Sequence, residues 1–374
     1  MLKSITEATI LPGTRVLVRA NLNVPMERGS VADTSRALGN LPTLRFLKGK
    51  GAKTILVGHV SVEGESLKPV ADILAQHVPV SFLESPFDEV GKEKLEHMQD
   101  GDIVCLENIR QFPEEEKNDE AFAQKLAGLA DIFVNDDFTS AHRVHASIVG
   151  VPHYIPSYMG IRFAEEYEHL SEAFHPQHPA VLIVGGAKPE TKLPIITALA
   201  PHMDSVFVFG VSGNSLLKTK GFSVGTSRVA SVNEEVLRTI VAMPHVSTYT
   251  DVLTLGVDGK EHVLTPEALG PDDTIVDAGP ETLAHLAQVV SSAAFVLWNG
   301  PLGLYEKGFS VGTQECARAI ASSRAESIVG GGDTDAVLAE GHISGTFTFT
   351  SSAGGAMLEF LAQGTLPGID ALKD

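Results

Sequence analysis

In the first half of the chain, four cationic side chains follow short apolar runs. Arg36 comes after Val16-Leu17-Val18, His59 after Ile55-Leu56-Val57, Arg110 after Ile103-Val104-Cys105-Leu106 and Arg143 after Ile132-Phe133-Val134. Polar groups accompany them: Arg19, Asn21 and Asn23 after the first run, Glu107 and Asn108 after the third, and Asn135, Asp136, His142 and His145 after the fourth. If the runs are parallel strands, these residues share the carboxyl edge of one sheet, where open α/β sheets bind ligands. Cations delivered there from several strand ends suit a small polyanion. Two other readings compete. One is surface arginines paired with neighbouring glutamates. The other is a metal site at His142 and His145 beside Asp136 and Asp137, which lacks any Cys or His-Glu-x-x-His arrangement and ranks below anion binding.

The second half carries a different set. Gly185-Gly186-Ala187-Lys188-Pro189-Glu190-Thr191-Lys192 follows an apolar run. It lacks the Gly-Lys-Ser/Thr ending of a Walker A loop, yet its glycines let backbone N–H groups approach phosphate, and Lys188 and Lys192 are spaced to share a helical face. Trp298-Asn299-Gly300-Pro301, with Glu306 shortly after, has the composition of a turn. Gly330-Gly331-Gly332-Asp333-Thr334 places a carboxylate behind a glycine loop, as a Mg²⁺–nucleotide site requires. Ala353-Gly354-Gly355-Ala356 opens an apolar helical stretch whose free N–H groups and dipole favour an anion. Each segment also reads as an ordinary turn; together they outline a nucleotide site.

These residues need a scaffold, and the apolar runs supply it. In the second half the runs are Val181-Leu182-Ile183-Val184, Val206-Phe207-Val208-Phe209, Phe295-Val296-Leu297-Trp298 and Ile328-Val329. Short runs rich in β-branched residues are buried parallel strands. Helical patterns alternate with them, as at 43–50, where Leu44 and Leu47 share a face and Gly49 and Gly51 stop the helix. Alternation implies doubly wound sheets. Between the halves, Phe163, Tyr167, Leu170 and Phe174 form one apolar face of a connecting helix over 160–175, ended by the prolines that follow.

A chain of 374 residues fits two such domains. With 43% hydrophobic and 20% charged residues it has the composition of an ordinary globular protein. A net charge of −19 argues against nucleic acid as partner and makes the local cationic cluster more informative. No apolar run reaches the roughly 18 residues of a membrane helix, and the first residues, Met1 to Glu7, lack a signal-peptide stretch. Two isolated cysteines, Cys105 and Cys316, fit a reducing compartment, so the expected location is cytoplasmic.

In order, Val16-Leu17-Val18-Arg19 through Asn23-Val24-Pro25, Leu106-Glu107-Asn108-Ile109-Arg110, Val134-Asn135-Asp136, Ala141-His142-Arg143-Val144-His145, Gly185-Gly186-Ala187-Lys188, Trp298-Asn299-Gly300-Pro301 and Gly330-Gly331-Gly332-Asp333-Thr334 resemble the phosphoglycerate kinase family over nearly the whole chain. The resemblance implies an α/β protein of two doubly wound parallel-sheet (Rossmann-like) domains joined by a helix and hinge. It implies an acceptor domain over 1–158 completed by the tail 357–374, and a nucleotide domain over 159–356. It implies reversible phosphoryl transfer between 1,3-bisphosphoglycerate and ADP, giving 3-phosphoglycerate and ATP with Mg²⁺, by a monomer. By resemblance Asn21, Asn23, Arg36, His59, Arg110 and Arg143 hold the acceptor. Gly186, Ala187, Lys192, Gly210, Asn299, Glu306, Gly332, Asp333 and Thr334 hold the nucleotide, with Glu306 at the ribose and Asp333 at Mg²⁺. Arg36, Lys188, Lys192, Gly354 and Gly355 surround the transferred phosphoryl.

The chain departs from the family pattern at five places. Asn21 stands where the family usually has an Asp that accepts from the substrate hydroxyl. Val62, in Ser61-Val62-Glu63, replaces an Arg that clasps the remote phosphate. Val211 replaces a glycine near the adenine, Phe349 a frequent His, and Ala353 a glycine. A valine cannot replace a bidentate guanidinium. A kinase of another small carboxylate, or a non-catalytic nucleotide-binding relative, are the alternatives these changes open.

Overall fold

The computed structural model describes residues 2–27, 30–62, 64–341, 343 and 347–373. Met1, Glu63 of the Ser61-Val62-Glu63 segment and Asp374 of the tail lie outside the described residues. The chain forms two compact units. One is Met1–Glu168 with Thr365–Asp374, the other His169–Gly364.

The first unit is built on a six-stranded parallel sheet in the order Ser81–Leu83, Ile103–Leu106, Lys53–Val57, Arg15–Arg19, Ile132–Asn135, Ser157–Met159. The strand Arg15–Arg19 is central, with Arg19 in register with Val57 on one side and Asn135 on the other. Val16, Leu17 and Val18 are fully buried, each worth about 1.5–3 kcal/mol relative to an exposed side chain. Because the strands are parallel and in register, the chain leaves all of them at one edge. There Arg19, His59 and Asp136 emerge from adjacent strands.

The second unit repeats the design in the order Val246–Ser247, Ser205–Val208, Ala180–Val184, Phe295–Asn299, Glu326–Gly330, Phe349–Ser351, again all parallel. A three-stranded antiparallel sheet of Glu261–Leu264, Val252–Leu255 and Thr274–Ala278 is added to it. The expected central strands are all present. Phe209 differs: it leaves its strand and precedes the helix Gly210–Thr219. The helix expected over 43–50 runs from Leu41 to Gly49, started by Pro42 in its first turn.

Two boundaries differ from expectation. The expected connecting helix is Ile161–Ser171 followed by a tighter turn, Glu172–Phe174, and the division between units falls inside that helix instead of at 158/159. The tail that belongs to the first unit starts at Thr365, not at 357. The helix Gly355–Gln363 packs along Pro189–Leu199 in the second unit, while Gly368 N–H donates to the Ala141 carbonyl in the first.

The start of helix Ile161–Ser171 is fixed by a buried carboxylate. Asp136 Oδ1 accepts from the N–H groups of Arg162 (3.0 Å) and Phe163 (3.3 Å), and Thr43 Oγ1 accepts from Ile161 N–H (2.9 Å). A Cβ on Gly160 would lie 2.1 Å from Asp136 Oδ1, so only glycine permits this approach. Burial pushes the Asp136 carboxyl up to about 7, against the downward pull of these donors. Between its unfolded value near 3.8 and about 7, the folded state binds more protons than the unfolded state, so this group's contribution to stability falls as pH rises. Asp136→Asn keeps one acceptor oxygen and removes the titration. In urea unfolding from pH 5 to 8, wild type is expected to lose stability relative to Asp136→Asn; a constant difference contradicts the assignment.

Candidate active site

At the carboxyl edge of the first sheet, four of the sequence-predicted acceptor residues, Asn21, Asn23, Arg36 and Arg110, form a connected set. Arg36 Nη1 donates to the Asn23 carbonyl (2.9 Å), Asn23 Oδ1 accepts from Ser61 N–H (2.9 Å), and Arg110 Nη1 donates to Ser61 Oγ (3.2 Å). Asn21 donates through Nδ2 to Thr139 Oγ1 (2.9 Å). Asn40, which the sequence reading passed over, ties the segment together. It accepts from Asn21 N–H (3.0 Å) and donates to the carbonyls of Asn21, Arg36 and Ala37 (3.0 Å each). Val62 is 49% exposed and supplies no polar group.

His59 lies at the centre of this charge. It is 1% exposed, and its nitrogen Nε2 is buried without a hydrogen-bond partner among the described residues. Burial, then Arg19, Arg143, His145 and Arg36, drive its proton affinity down to about 2, which makes it a neutral ring at physiological pH. Arg36, His59 and Arg143 thus share one electrostatic neighbourhood. Arg110 is partly described by the surface-pair alternative, being ion-paired to Glu116 (3.2 Å). Among the described residues, neither Arg36 nor Arg143 is ion-paired, so each remains a cation open to a ligand.

The metal reading at His142 and His145 finds no support in this geometry. Asp136 is spent on the helix start and Asp137 on Arg19 (2.9 Å), while His145 Nδ1 lies 3.9 Å from Glu115. Among the described residues, no group that could hold a metal includes either histidine.

In the second unit, the strand ends carry glycine-rich backbone and one buried cation. Lys192, in the first turn of helix Pro189–Leu199, is 7% exposed and donates to Asn299 Oδ1. Burial lowers its proton affinity to about 8, with Asp333 pulling upward and Lys188 pushing downward. Asn299 in turn donates to the Gly330 carbonyl (2.8 Å) and touches Met357 Sδ (3.7 Å), which brings the first turn of helix Gly355–Gln363 to the same place. Gly354, at the start of that helix, has φ +56°, and a Cβ on either Gly354 or Gly355 would meet nothing within 4 Å. Their backbone is therefore open to a ligand.

Glycine is needed for close approach at Gly210, with φ +61° and a virtual Cβ only 2.4 Å from the Gly186 carbonyl oxygen. That contact shapes one wall of a cavity of about 240 Å³ lined by Gly186, Ala187, Val211, Asn214, Glu306 and Asp333, among others. Val211 fills the place expected for a glycine and lies on this wall. Asp333 is exposed, one residue into helix Gly332–Glu340, and its Oδ1 accepts from the Tyr305 hydroxyl (2.9 Å). The sequence reading missed Tyr305; a phenol one residue before Glu306 was the available signal. Thr334 takes an internal role: its buried Oγ1 accepts from Gly300 N–H (3.0 Å) and ties the glycine loop to the Asn299-Gly300 turn.

The family model for phosphoglycerate kinase matches residues 6–364 of this chain. The phosphoglycerate kinase of Pelotomaculum thermopropionicum is 37% identical and aligns over 100% of both chains. That of Bradyrhizobium diazoefficiens is 37% identical over 96% of each. Among solved structures, phosphoglycerate kinase from Coxiella burnetii superposes with a TM-score of 0.91 at 33% identity, covering 100% of this chain and 99% of the other. The Pyrococcus horikoshii enzyme gives 0.81 at 27% identity, covering 100% and 98%.

The Thr334–Gly300 contact has a direct test. Thr334→Val keeps the shape and leaves a buried N–H without an acceptor, at a cost of about 1–3 kcal/mol. Urea unfolding should show that loss; a wild-type midpoint would mean that the two loops are held by other contacts.

Proposed function

The chain belongs to the phosphoglycerate kinase family, and on that premise we propose how its own residues divide the reaction. It is a phosphotransferase with a carboxyl group as acceptor, carrying a phosphoryl group reversibly between 1,3-bisphosphoglycerate and ADP. Toward ATP, a carboxylate oxygen of 3-phosphoglycerate leaves the phosphorus as a β-phosphate oxygen of ADP bonds to it. The reverse reaction exchanges these roles.

Two separate observations support the assignment of residues: a cationic face at the strand ends of the first unit, and in the second a cavity of about 240 Å³ lined by Gly186, Ala187, Gly210, Glu306 and Asp333. Arg36, Arg110 and Arg143 hold the charges of the acceptor, and Asn21, Asn23 and His59 orient it. The cavity beside Gly186, Ala187, Gly210 and Val211 takes the nucleoside, with Glu306 at the ribose. The open N–H groups at Gly354 and Gly355, together with Lys188, Lys192 and Arg36, meet the equatorial oxygens of the transferred phosphoryl. Such transfer draws almost entirely on positioning and charge. Both sets must act on one phosphoryl, so a hinge closure is part of the proposal.

Asp333 fits a hard divalent cation. It is an exposed carboxylate at a glycine loop, and Tyr305 engages Oδ1 and leaves Oδ2 available. Mg²⁺ held there with the nucleotide would neutralise phosphate charge. Asn299 has a different task, orienting the Lys192 ammonium. Cytoplasmic location and a monomeric state complete the proposal. Both cysteines are free and buried, and no helix among the described residues is long and apolar enough to cross a membrane.

A second reading, a different small carboxylate as acceptor, draws on Asn21 and on the exposed Val62. A coupled ATP-consumption assay with 3-phosphoglycerate and a panel of small carboxylates, with and without Mg²⁺, separates the two. The expected result is Mg²⁺-dependent turnover highest with 3-phosphoglycerate; a higher kcat/KM on another carboxylate would reassign the acceptor. Lys192→Ala should lower kcat by roughly 10²–10³-fold, the scale of losing one fixed transition-state donor; wild-type turnover would remove Lys192 from the mechanism. Val62→Arg should lower KM for 3-phosphoglycerate by roughly tenfold, as one charged contact is worth about 1.5–3 kcal/mol. An unchanged KM would show that the remote phosphate is not gripped from this loop.

A further inference from the structure

We propose that Arg19 is the positioning residue that locks His59 as a neutral N–H donor, with Nδ1 held as an acceptor and the hydrogen carried on Nε2. This deepens the acceptor-site reading and rests on it for the role of the Nε2–H, though not for the lock itself.

Arg19 is 1% exposed and its guanidinium is engaged on every side by protein. Nε donates to Ser147 Oγ (2.9 Å), Nη1 to the Ala20 carbonyl (2.8 Å) and Asp137 Oδ2 (2.9 Å), and Nη2 lies 2.8 Å from His59 Nδ1. A guanidinium has donors only and does not deprotonate in proteins. The Nη2 contact therefore requires His59 Nδ1 to accept, which leaves the ring hydrogen on Nε2.

The partners of Arg19 are fixed in turn. Ser147 donates its hydroxyl to Glu115 Oε1 (2.5 Å) and its N–H to Glu115 Oε2 (2.9 Å). Asp137 accepts from Ser140 N–H (3.2 Å). Arg19 is thus held from three other segments of the chain, and no rotation brings it to an anion without breaking buried bonds. It serves the site through His59.

The charged and titratable groups around His59 are Arg19, Arg36, Arg143 and His145. Glu115, against His145, is itself pushed toward the neutral acid by burial, and Asp137 is spent on Arg19. A second proton on His59 would add a cation to this set. Locked, His59 supplies a directional donor whose charge stays constant through the pH range where a free imidazole titrates. Its Nε2 has no partner among the described residues, which leaves its hydrogen for a bond to a ligand.

Nitrogen-15 NMR of protein with labelled histidine rings reads the tautomer directly, with His59→Gln identifying the signal. The expected pattern is one protonated ring nitrogen, Nε2, and one bare acceptor nitrogen, Nδ1, unchanged from pH 8 to 5. A hydrogen on Nδ1, or titration within that range, overturns the lock. In Arg19→Lys the fork is lost while burial still keeps the ring neutral, so part of the ring population should carry its hydrogen on Nδ1; an unaltered pattern would remove Arg19 as its cause. The wild-type spectrum decides the question of the lock even where Arg19→Lys does not fold. Adding 3-phosphoglycerate should move the Nε2–H signal. If the tautomer holds and that signal does not move, the lock stands and the acceptor-site reading fails instead.

Discussion

A charged guanidinium enclosed by protein has to have its hydrogen bonds answered, and that requirement organises the first unit. Arg19 and Asp137 form an ion pair with side chains 1% and 0% exposed. Removing one partner of such a pair leaves an uncompensated charge and costs about 3–5 kcal/mol. The pair therefore persists only where Ser147, Ala20 and His59 share the load. These contacts bind together the ends of adjacent strands and the turn that follows the last of them. The cationic edge inherits its geometry from that knot: His59 is oriented by it, and beside it Arg36 and Arg143 have no ion-pair partner among the described residues.

The second unit solves a different problem with a different pairing. Lys192 is nearly as buried, but its bonded partner is the neutral amide of Asn299, and no carboxylate lies within ion-pair reach among the described residues. Its lowered proton affinity reflects that desolvation. A cation without a protein counter-ion is costly to the free protein and favourable to an anionic ligand, so phosphate is its natural partner. Asn299 holds the ammonium in place without cancelling its charge, and through Gly330 and Met357 it links that cation to the glycine loop and the open helix start. The two units thus hold two kinds of buried cation, one satisfied internally and one without a carboxylate partner among the described residues.

Much of this was legible in the sequence, for physical reasons. Central strands such as Ala180–Val184 are buried on both faces and read as unbroken apolar runs. Edge strands such as Val246–Ser247 and Phe349–Ser351 are two or three residues long and give no periodicity to read. Strand-end position was enough to nominate Arg36, His59 and Arg143, because parallel register sends every strand end to one edge. It was not enough to separate Arg19 from them. Its partners Asp137 and Ser147 lie 118 and 128 residues further on, so its structural duty appears only when the chain is folded. Thr334 shows the converse. The motif nominates it for nucleotide, while the fold gives its hydroxyl to Gly300. The tail boundary moved to Thr365 because the helix start at Gly355 carries both an apolar face and an anion-ready terminus, and packing on Pro189–Leu199 decides where that helix belongs.

The central claim is the proposal that Arg36 and Arg143 on the first unit and Lys192 and Asp333 on the second serve one phosphoryl transfer. A crystal structure of the chain with 3-phosphoglycerate, ADP, Mg²⁺ and a planar metal-fluoride mimic of the transferred group tests it most directly. The expected result has the acceptor carboxylate against Arg36 with His59 and Arg143 on the same molecule, Asp333 on the Mg²⁺, and Lys192 and Arg36 both on the fluoride. An acceptor bound away from His59 and Arg143, or a fluoride untouched by Lys192, would contradict it.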